Sequence, residues 1–452
     1  MLKNKKILIA GAGVSGLGAA RLLGQAGCAA AIYDGNENLD TKMVKKQLPE
    51  EMSISFALGE YKESLADDYD LLVLSPGISV NSPVAQSFYK RNKPVWGEIE
   101  LASYFARGRI AAITGTNGKT TTTALVGSIL RFWYPSVFVV GNIGIPFTSV
   151  ALETTEESVI AAEISSFQLE TTIDFKPAVS AVLNLTPDHL DRHGTMEIYG
   201  QTKLAISRKQ TAEDKILLNY DDPATRAMAK HTTATPVMFS RKENLETGIV
   251  LAGDTFVIRE EGREFPVCTT KEIKLLGDHN YENILAAIGI CYYMGVPVEQ
   301  IRKAVMDFEA VEHRIEYVDT VDGVDYYNDS KGTNPDAAIK GIRAMVKPTV
   351  LLGGGYDKKA KYDEWIDAFD GKVKCLILMG ATAKAIGETA RSHGFTQVIY
   401  VDTLEEAMER ARKEADPGDA VLLSPACASW GMFKNYEVRG QVFKEIVKKF
   451  KG

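Results

Sequence analysis

A glycine-rich loop with a lysine follows one of the apolar runs of the chain, and residues of these types in this order bind phosphate. The loop reads TGTNGKT at residues 114–120. Gly115 and Gly118 would let successive backbone amides point at phosphate oxygens. Lys119 would neutralise the β- and γ-phosphate charge, and the Thr120 hydroxyl would be a ligand of Mg²⁺. Although the first glycine of the usual P-loop spacing is missing, a predicted strand before and a predicted helix after favour a triphosphate site over an ordinary glycine turn.

Carboxylate and imidazole groups follow two later apolar runs. Glu163 follows the run 159–162, where P-loop enzymes carry a second acidic loop, and it would hold the metal together with the phosphate-loop threonine. The segment NLTPDHLDRH at 184–193 contains His189 and His193. From spacing alone, a metal ligand and a structural or helix-capping histidine both remain open.

A second glycine motif, GAGVSG at residues 11–16, follows the first apolar run. Its glycines would permit a tight turn and the approach of a phosphate to a helix N-terminus, and Asp34 ends the next predicted strand. This is the context of an NAD site and, taken alone, favours a dehydrogenase. The motif specifies a diphosphate site, however, and UDP-sugars also contain a diphosphate. Ser75 and Gly77, after the third run, would line the same crevice.

The elements that must position these groups indicate an α/β protein. At about 150 residues per domain, 452 residues predict three domains. Apolar runs alternate with helix-like segments, which is typical of largely parallel sheets whose ligands bind beyond the carboxyl ends of the strands. We expect a Rossmann-like N-terminal sheet in 1–107, a central P-loop ATPase-type sheet in 108–310 and a Rossmann-like C-terminal sheet in 311–452.

The predicted strands are unevenly distributed among these domains. The first domain has three, at 5–9, 30–33 and 71–74; the second has 110–113, 137–140, 159–162 and 179–183; the third has 324–327, 349–352, 375–379 and 420–423. Alternating apolar and polar residues at 247–274 predict a small antiparallel excursion, and the period of 280–294 predicts a helix.

Charge, cysteines and hydropathy restrict the partners. Acidic residues exceed basic ones by seven, so the chain lacks the overall positive field of a nucleic-acid or anionic-membrane binder. Its five cysteines form no CxxC pair, which favours a reducing, cytoplasmic compartment. The N-terminus imitates a secretory signal, but glycines and Arg21 interrupt its apolar stretch, and no run of about 18 apolar residues occurs. We therefore expect that the protein binds neither nucleic acid nor a membrane. We also expect a monomer.

The order of the motifs resembles the Mur ligases of peptidoglycan synthesis, and most closely the members that add D-glutamate to UDP-N-acetylmuramoyl-L-alanine. Further landmarks are SPGI (75–78), GEIEL (97–101), GNIG (141–144), EISSFQLE (163–170), HNYEN (279–283), HR (313–314), NDSKGTNP (328–335) and SPACASWGMFKNYEVRG (424–440). The resemblance implies that ATP phosphorylates the carboxylate of the UDP-substrate, and that the D-glutamate amine displaces phosphate from the resulting acyl phosphate.

The resemblance also implies roles for individual residues. The ATP-binding set is Gly115, Thr116, Asn117, Gly118, Lys119, Thr120, Thr121, Asn280, Asn283, Arg314 and Asp329. The catalytic set is Lys119, Glu163, His189 and Lys203, and two Mg²⁺ ions would be held by Thr120, Glu163, His189 and Lys203, the last as a carbamate. The UDP-substrate set is Val14, Ser15, Asp34, Ser75, Gly77 and Asn142. The D-glutamate set is Lys331, Thr333, Lys358, Ser429 and Tyr436.

Some alternatives remain open at this stage. Read without the resemblance, Lys203 is a surface residue, and Lys359 competes with Lys358 for the D-glutamate side chain. Gly35-Asn36 stands where some family members place an arginine near the uracil. A ligase for another amino acid, a folylpolyglutamate synthetase and an NAD-binding P-loop regulator are the competing functions.

Overall fold

The computed structural model describes residues 2–49, 52, 54–142, 145–275, 277–309, 312–357 and 360–451. The fold is α/β, as predicted, with three sheets. The chain divides into two compact units, one formed by 1–273 with 282–306 and the other by 274–281 with 307–452. The first two sheets belong to the first unit, and the third sheet belongs to the second. Among the described residues, no helix combines the length and the apolar character needed to traverse a bilayer.

The first sheet is entirely parallel, with the strand order β3-β2-β1-β4-β5. Its strands are β1 (Ile7–Ala10), β2 (Ala30–Asp34), β3 (Ile54–Leu58), β4 (Leu71–Leu74) and β5 (Val95–Gly97). The helices of this part are α1 (Val14–Gln25), α2 (Thr41–Lys45), α3 (Pro83–Lys90) and α4 (Glu98–Phe105). The prediction of three strands was wrong, because it missed both edges: only Ile54 of β3 is buried, and β5 has three residues.

The second sheet has nine strands in the order β14-β13-β12-β11-β10-β9-β6-β8-β7. They are β6 (Arg109–Thr114), β7 (Val137–Gly141), β8 (Val159–Glu163), β9 (Val179–Val182), β10 (Lys215–Asn219), β11 (Thr235–Ser240), β12 (Gly248–Ala252), β13 (Thr255–Glu260) and β14 (Arg263–Thr269). Its helices are α5 (Lys119–Arg131), α6 (Ser166–Leu169), α7 (Leu190–His193), α8 (Met196–Leu204), α9 (Pro223–Ala227), α10 (Asp278–Tyr293) and α11 (Val298–Asp307).

Most of this sheet is parallel, and only β12, β13 and β14 pair antiparallel, within the predicted excursion 247–274. The prediction missed β10 and β11. Pro236 in β11 cannot donate a ladder hydrogen bond and weakens the sequence signal of a strand.

The third sheet has the order β15-β16-β20-β17-β18-β19, and β15–β16 is its antiparallel pair. The strands are β15 (Glu316–Val321), β16 (Val324–Asn328), β17 (Thr349–Gly354), β18 (Val373–Met379), β19 (Val398–Tyr400) and β20 (Ala420–Leu423). The helices are α12 (Pro335–Ala344), α13 (Asp363–Asp367), α14 (Ala383–Ser392), α15 (Leu404–Glu414) and α16 (Tyr436–Phe450). The two strands that the prediction missed, β15 and β19, are again the half-exposed edges.

Two buried carboxylates join the first sheet to the second within the first unit. Glu100 of α4 accepts hydrogen bonds from the backbone amides of Ile173, Asp174 and Phe175 at 2.8–3.1 Å. Glu98 accepts from the Thr148 amide at 3.0 Å, and burial raises the pKa of the Glu98 carboxyl. Because buried carboxylates are stable only when their oxygens are satisfied, these bonds hold α4 and the loops of the second sheet in one arrangement.

Candidate active site

A cavity of about 660 Å³ lies beyond the carboxyl ends of β1 and β4. Its floor is the glycine turn before α1. Gly11 has φ +96°, and a Cβ on Gly16 would stand 1.8 Å from the carbonyl oxygen of Gly11, so this turn can form only with glycine there. All six residues predicted for the UDP-substrate line the cavity: Val14, Ser15, Asp34, Ser75, Gly77 and Asn142.

Two polar side chains of this cavity have different tasks. The Asp34 carboxylate accepts hydrogen bonds from the backbone amides of Ala12 at 2.8 Å and Asn36 at 2.9 Å, so it holds the glycine turn in place. The Ser75 hydroxyl is buried and has no hydrogen-bond partner among the described residues. A buried polar atom without a partner costs free energy unless a ligand satisfies it, so Ser75 marks where a polar ligand such as a diphosphate fits.

The phosphate loop lies between β6 and α5. Gly118, the residue before the helix, has φ +86°, and a Cβ there would stand 2.2 Å from Oδ1 of Asn283. Lys119 begins the helix, and its Nζ donates to the carbonyl oxygens of Gly115 and Thr116, both at 2.8 Å. The ammonium group is therefore held inside the loop, and the helix N-terminus faces the same point, which suits the binding of an anion.

The threonines after Lys119 lie against the core. Thr121 and Thr123 are buried, and their hydroxyls have no hydrogen-bond partner among the described residues. The Thr122 hydroxyl donates to Oδ1 of Asn283 at 3.3 Å. Asn283 of α10 therefore lies beside the phosphate loop, where the resemblance places a nucleotide contact.

Glu163 is the last residue of β8 and lies beside the end of β6, where the phosphate loop begins. It is in register with Ile113 of β6, and its side chain is buried. Its Oε1 accepts a hydrogen bond from Nδ2 of Asn142 at 3.2 Å. Glu163 therefore links Asn142, which lines the 660 Å³ cavity, to β8. This strand pairs with β6, the strand that precedes the phosphate loop.

The segment after β9 is tied to the phosphate loop by reciprocal hydrogen bonds. The Asn117 amide donates to Oδ1 of Asn184 at 2.8 Å, and Nδ2 of Asn184 donates back to the Asn117 carbonyl at 3.1 Å. The Thr116 hydroxyl donates to the Thr186 carbonyl at 3.2 Å and accepts from its amide at 3.1 Å. These bonds place the segment that carries both candidate histidines next to the phosphate loop.

The two histidines of this segment have different environments. His189 has a left-handed backbone (φ +53°), and its side chain, about half exposed, makes no capping hydrogen bond to α7. His193 is buried, with Nε2 3.0 Å from the Ser166 hydroxyl, and burial lowers the pKa of its imidazole. The geometry therefore leaves His189 accessible to a ligand and gives His193 a structural role.

The prediction from residues alone that Lys203 lies on the surface was wrong. Its side chain is about 1% exposed, Nζ donates to the Gly115 carbonyl at 2.9 Å, and Nζ lies 4.5 Å from the centre of the Tyr199 ring. Burial and the positive charge of Lys119 hold the pKa of the Lys203 amine well below its usual value. The missed signal is the four-residue spacing of Tyr199 and Lys203, which places both on the buried face of α8.

Two of the predicted metal ligands, the hydroxyl of Thr120 and the carboxylate of Glu163, are oxygen donors. In the described part of the chain, no three His, Cys, Asp or Glu side chains come together as a ready metal site. Mg²⁺ does not require such a cage, because it retains water and binds through one or two carboxylates and substrate phosphates. The predicted ligands Thr120 and Glu163, near the phosphate loop, have this chemistry.

In the second unit, three of the residues predicted to bind ATP lie at or near element ends. Asp329 follows β16, is buried, and accepts a hydrogen bond from the Ser424 hydroxyl at 2.6 Å; burial raises the pKa of its carboxyl to about 7. The charge of Arg314 acts in the opposite direction on this carboxyl, and Nε of Arg314 is buried without a hydrogen-bond partner among the described residues. Asn280, in the first turn of α10, is also buried.

The residues predicted for D-glutamate belong to neighbouring loops of this unit. Nζ of Lys331 lies 5.6 Å from the centre of the Tyr436 ring, and the Thr333 amide donates to the Lys331 carbonyl at 2.8 Å. Ser429 is buried in the loop after β20. Lys358 and its competitor Lys359 lie outside the described residues.

Arg439 connects these loops and was missed by the sequence analysis. Its guanidinium is buried and donates to the Ser330 hydroxyl at 2.9 Å, the Ser330 carbonyl at 2.8 Å and the Cys427 carbonyl at 3.2 Å. A buried arginine is uncommon unless several acceptors satisfy it, and these acceptors belong to the loops that precede Lys331 and Ser429. The missed signal is the four-residue spacing of Arg439, Phe443 and Val447, which places all three on the buried face of α16.

The chain matches family models along most of its length. The models are the MurD-like N-terminal domain of Mur ligases at residues 5–97, the Mur ligase middle domain at 113–291, and the glutamate ligase domain of Mur ligases at 313–427. Among curated relatives, the UDP-N-acetylmuramoylalanine–D-glutamate ligases of Lachnoclostridium phytofermentans and Lachnospira eligens are each 49% identical. The alignments cover 98% of both chains for the first and 99% of both for the second.

Solved structures of lower identity share the fold. The UDP-N-acetylmuramate-alanine ligase MurC from Thermotoga maritima is 18% identical with a TM-score of 0.60, and covers 99% of this chain and 100% of its own. MurF from Acinetobacter baumannii is 16% identical with a TM-score of 0.61, and covers 93% of this chain and 91% of its own. These structures agree with the three-sheet α/β architecture.

Proposed function

The chain belongs to the Mur ligase family, and from that premise we propose how its residues join D-glutamate to UDP-N-acetylmuramoyl-L-alanine at the expense of ATP. The chain is an ATP-dependent ligase of peptidoglycan precursor synthesis, like the relatives that are 49% identical over nearly its full length. The observation that carries the proposal is that one compact unit contains both a cavity suited to a diphosphate and a phosphate loop.

The reaction has two displacements. A carboxylate oxygen of the UDP-substrate bonds to the γ-phosphorus, and the bond from that phosphorus to the bridging oxygen breaks, releasing ADP. The D-glutamate amine then bonds to the acyl carbon and loses a proton, and inorganic phosphate leaves. Negative charge is concentrated near the transferred group in both steps, so a cation held in position supplies most of the stabilisation. We assign that cation to Lys119, with the amides of 115–121 around the phosphates.

Magnesium would be held by Thr120 and Glu163 at one site and by His189 with Lys203 at a second, and it would neutralise phosphate charge. The first pair supports the proposal because a hydroxyl and a carboxylate are ligands that Mg²⁺ prefers. Lys203 would take part as a carbamate, formed when its neutral amine bonds to the carbon of CO₂ and releases a proton. The burial of this amine, which favours its neutral form, supports that role.

The remaining assignments follow the motifs of the family. Asn280, Asn283, Arg314 and Asp329 would contact the nucleotide. Val14, Ser15, Asp34, Ser75, Gly77 and Asn142 would bind the UDP-substrate, with Ser75 donating its free hydroxyl. Lys331, Thr333, Ser429, Tyr436 and Lys358 would bind D-glutamate, because two ammonium groups suit a dicarboxylate.

We also propose a division of labour along the chain. Residues 1–107 would bind the UDP-sugar, 108–310 ATP, and 311–452 the amino acid. The protein would act as a monomer in the cytoplasm. Five buried cysteines without disulfide bonds support a reducing compartment.

A phosphate-release assay tests the substrate assignment. The assay contains ATP, Mg²⁺, UDP-N-acetylmuramoyl-L-alanine and one amino acid from a panel that includes D-glutamate, L-glutamate and meso-diaminopimelate. We expect release with D-glutamate alone. Release with another amino acid would identify a different ligase, and release without any acceptor would favour the P-loop regulator.

The two lysines outside the described residues can be separated by paired variants. Lys358→Ala should raise the KM for D-glutamate while the KM for ATP stays unchanged, because it removes a cation opposite the side-chain carboxylate. Lys359→Ala is the matched control, one residue along the chain. If only Lys359→Ala raises this KM, the assignment belongs to Lys359.

A further inference from the structure

Arg192 is a largely buried arginine that the assigned chemistry does not use. It lies in α7, three residues after His189, and its side chain is about 15% exposed. Its Nε and Nη2 donate to the two carboxylate oxygens of Glu170, at 3.2 and 2.5 Å. Because the Glu170 side chain is also mostly buried, at 11% exposed, this bidentate pair has little competition from water.

The same guanidinium also contacts the loop 75–78 of the diphosphate cavity. Nη1 donates to the Pro76 carbonyl at 2.9 Å, and Nη2 donates to the Ile78 carbonyl at 3.3 Å. Both carbonyls flank Gly77, and Ser75, whose buried hydroxyl lacks a partner, begins the loop. One rigid fork therefore sets the conformation of the loop that offers this hydroxyl to the ligand.

An aromatic contact joins Arg192 to the accessible histidine. The guanidinium carbon lies 4.1 Å from the centre of the Phe167 ring, and the Phe167 ring lies 4.8 Å from that of His189. The amide of Arg192 also donates to the His189 carbonyl at 3.1 Å. A change at Arg192 therefore reaches His189 through both the ring contact and the first turn of α7.

We propose that Arg192 is a positioning residue that couples the loop 75–78 of the diphosphate cavity to His189, the residue assigned above to the second magnesium site. The inference rests on the proposed function, because it takes the UDP-sugar as the ligand of the cavity. Glu170 orients the fork, the two carbonyls fix the loop, and Phe167 fixes the imidazole. Arg192 contacts neither reacting atom.

The fork of arginine is the feature that the contacts require. Its planar fork of donors reaches a carboxylate and two carbonyls, whereas a lysine ammonium is a single point charge and cannot hold all three acceptors in this geometry. Arg192→Lys therefore keeps the charge but removes the coupling. Arg192→Ala removes both and leaves Glu170 without its partner.

The test measures the affinities for UDP-N-acetylmuramoyl-L-alanine and for a non-hydrolysable ATP analogue separately, by calorimetry on the full chain. With Arg192→Ala we expect the Kd of the UDP-substrate to rise about 10- to 100-fold, the range for losing a charge-assisted hydrogen-bonding group, with the Kd of the ATP analogue unchanged. Added guanidinium ion should restore part of the affinity. With Arg192→Lys we expect a rise of about fivefold or more.

Arg91→Ala is the matched control. Arg91 also forms a two-bond pair with a carboxylate, that of Asp67 at 2.6 and 3.3 Å, and donates to a backbone carbonyl, that of Ser87. None of these partners lines the cavity, so its substitution should leave both affinities unchanged.

Equal weakening of both ligands in Arg192→Ala, or no rescue by guanidinium, would reduce Arg192 to a general structural residue and overturn the proposal. Full affinity in Arg192→Lys would also overturn it, and this variant decides the question alone if Arg192→Ala does not fold. The binding measurement needs neither D-glutamate nor turnover. A wild-type chain that binds the UDP-substrate through Arg192 but does not ligate D-glutamate would refute the proposed function and not this inference.

Discussion

At the residue scale, two lysine side chains donate hydrogen bonds to the same backbone carbonyl oxygen. Nζ of Lys119 and Nζ of Lys203 both donate to the Gly115 carbonyl, at 2.8 and 2.9 Å. Burial disfavours the charged form of Lys203 and lowers the pKa of its amine, and the positive charge of Lys119 adds to that effect. In the proposed mechanism the two lysines have different tasks: Lys119 would contact the transferred phosphate, and Lys203 would be modified as a neutral amine.

Substitution of Lys119 tests the first of these tasks. Lys119→Ala should lower kcat by about 10²-fold or more, because one preorganised charge at the transferred group supplies that much stabilisation. The measurement is steady-state phosphate release at saturating substrates. Lys209→Ala, which removes an exposed lysine paired with Asp174 at 2.8 Å, is the control and should keep wild-type turnover. Near-normal turnover in Lys119→Ala would exclude Lys119 from the mechanism.

Asp329 predicts a pH dependence of stability. Burial raises the pKa of this carboxyl to about 7 in the folded state, against about 3.9 when unfolded. The folded state therefore holds a proton that the unfolded state has lost, and the carboxyl lowers the free energy of unfolding progressively as pH rises from about 4 to about 7. Asp329→Asn cannot ionise, so its free energy of unfolding relative to wild type should rise by about 2 to 3 kcal/mol between pH 5 and pH 7.5.

Denaturant unfolding of both proteins at the two pH values provides this comparison. The control is Asp319→Asn, because the hydrogen bond from Lys451 lowers the pKa of the Asp319 carboxyl. A carboxyl with a lowered pKa contributes stability above its unfolded pKa of about 3.9 and loses it only as pH falls further. The difference between Asp319→Asn and wild type should therefore be the same at pH 5 and pH 7.5. A flat difference for Asp329→Asn as well would show that Asp329 is ionised in the folded protein.

At the scale of elements, the strand-to-helix turns position the chemistry. The turn between β1 and α1 allows no Cβ at Gly16, whereas a Cβ at Gly13 would meet no heavy atom within 4 Å. Glycine is therefore required at Gly16 for close packing and at Gly11 for its positive φ, whereas the position of Gly13 has room for a side chain. This explains why the same motif occurs in NAD and UDP-sugar sites, because both need the close approach of a backbone to a diphosphate.

Paired glycine variants test this difference. Gly16→Ala should lower the free energy of unfolding by about 2 kcal/mol or more, since the new methyl group collides with the Gly11 carbonyl and the backbone must shift. Gly13→Ala should change it by less than about 0.5 kcal/mol, because its backbone is extended (φ −76°) and the space is open. Equal stability of the two variants in denaturant unfolding would show that the turn can relax.

The elements also show what the sequence could predict. Central strands such as β4 and β20 are continuous apolar runs, because both faces of a parallel sheet are buried, and their bounds agree with the prediction. Edge strands such as β3 and β19 are half exposed and lack that signal. The phosphate loop and the glycine turn were predictable because their spacing is local. The hydrogen-bond partners of Lys203, Arg192 and Arg439 were not predictable, because these partners lie far away in the sequence.

At the scale of the whole molecule, the acidic balance of the chain and its anionic ligands are compatible. The net charge of −7 does not favour polyanions in general. The candidate sites would bind anions locally, through backbone amides at helix N-termini and through cations placed by secondary structure, such as Lys119 at the start of α5. The motif that taken alone favours a dehydrogenase, GxGxxG with an acid at the end of the second strand, is compatible with the ligase function too. Its acid, Asp34, holds the glycine turn by accepting a hydrogen bond from the Ala12 amide.

The acyl-phosphate route can be followed by one isotopic label. UDP-N-acetylmuramoyl-L-alanine carrying ¹⁸O in its carboxylate is incubated with the protein, ATP, Mg²⁺ and D-glutamate, and the released phosphate is analysed by mass spectrometry. Because a carboxylate oxygen bonds to phosphorus and the carbon–oxygen bond then breaks, each phosphate should carry one ¹⁸O, and the amide product should retain the other. Amide formation accompanied by unlabelled phosphate would contradict the proposed mechanism.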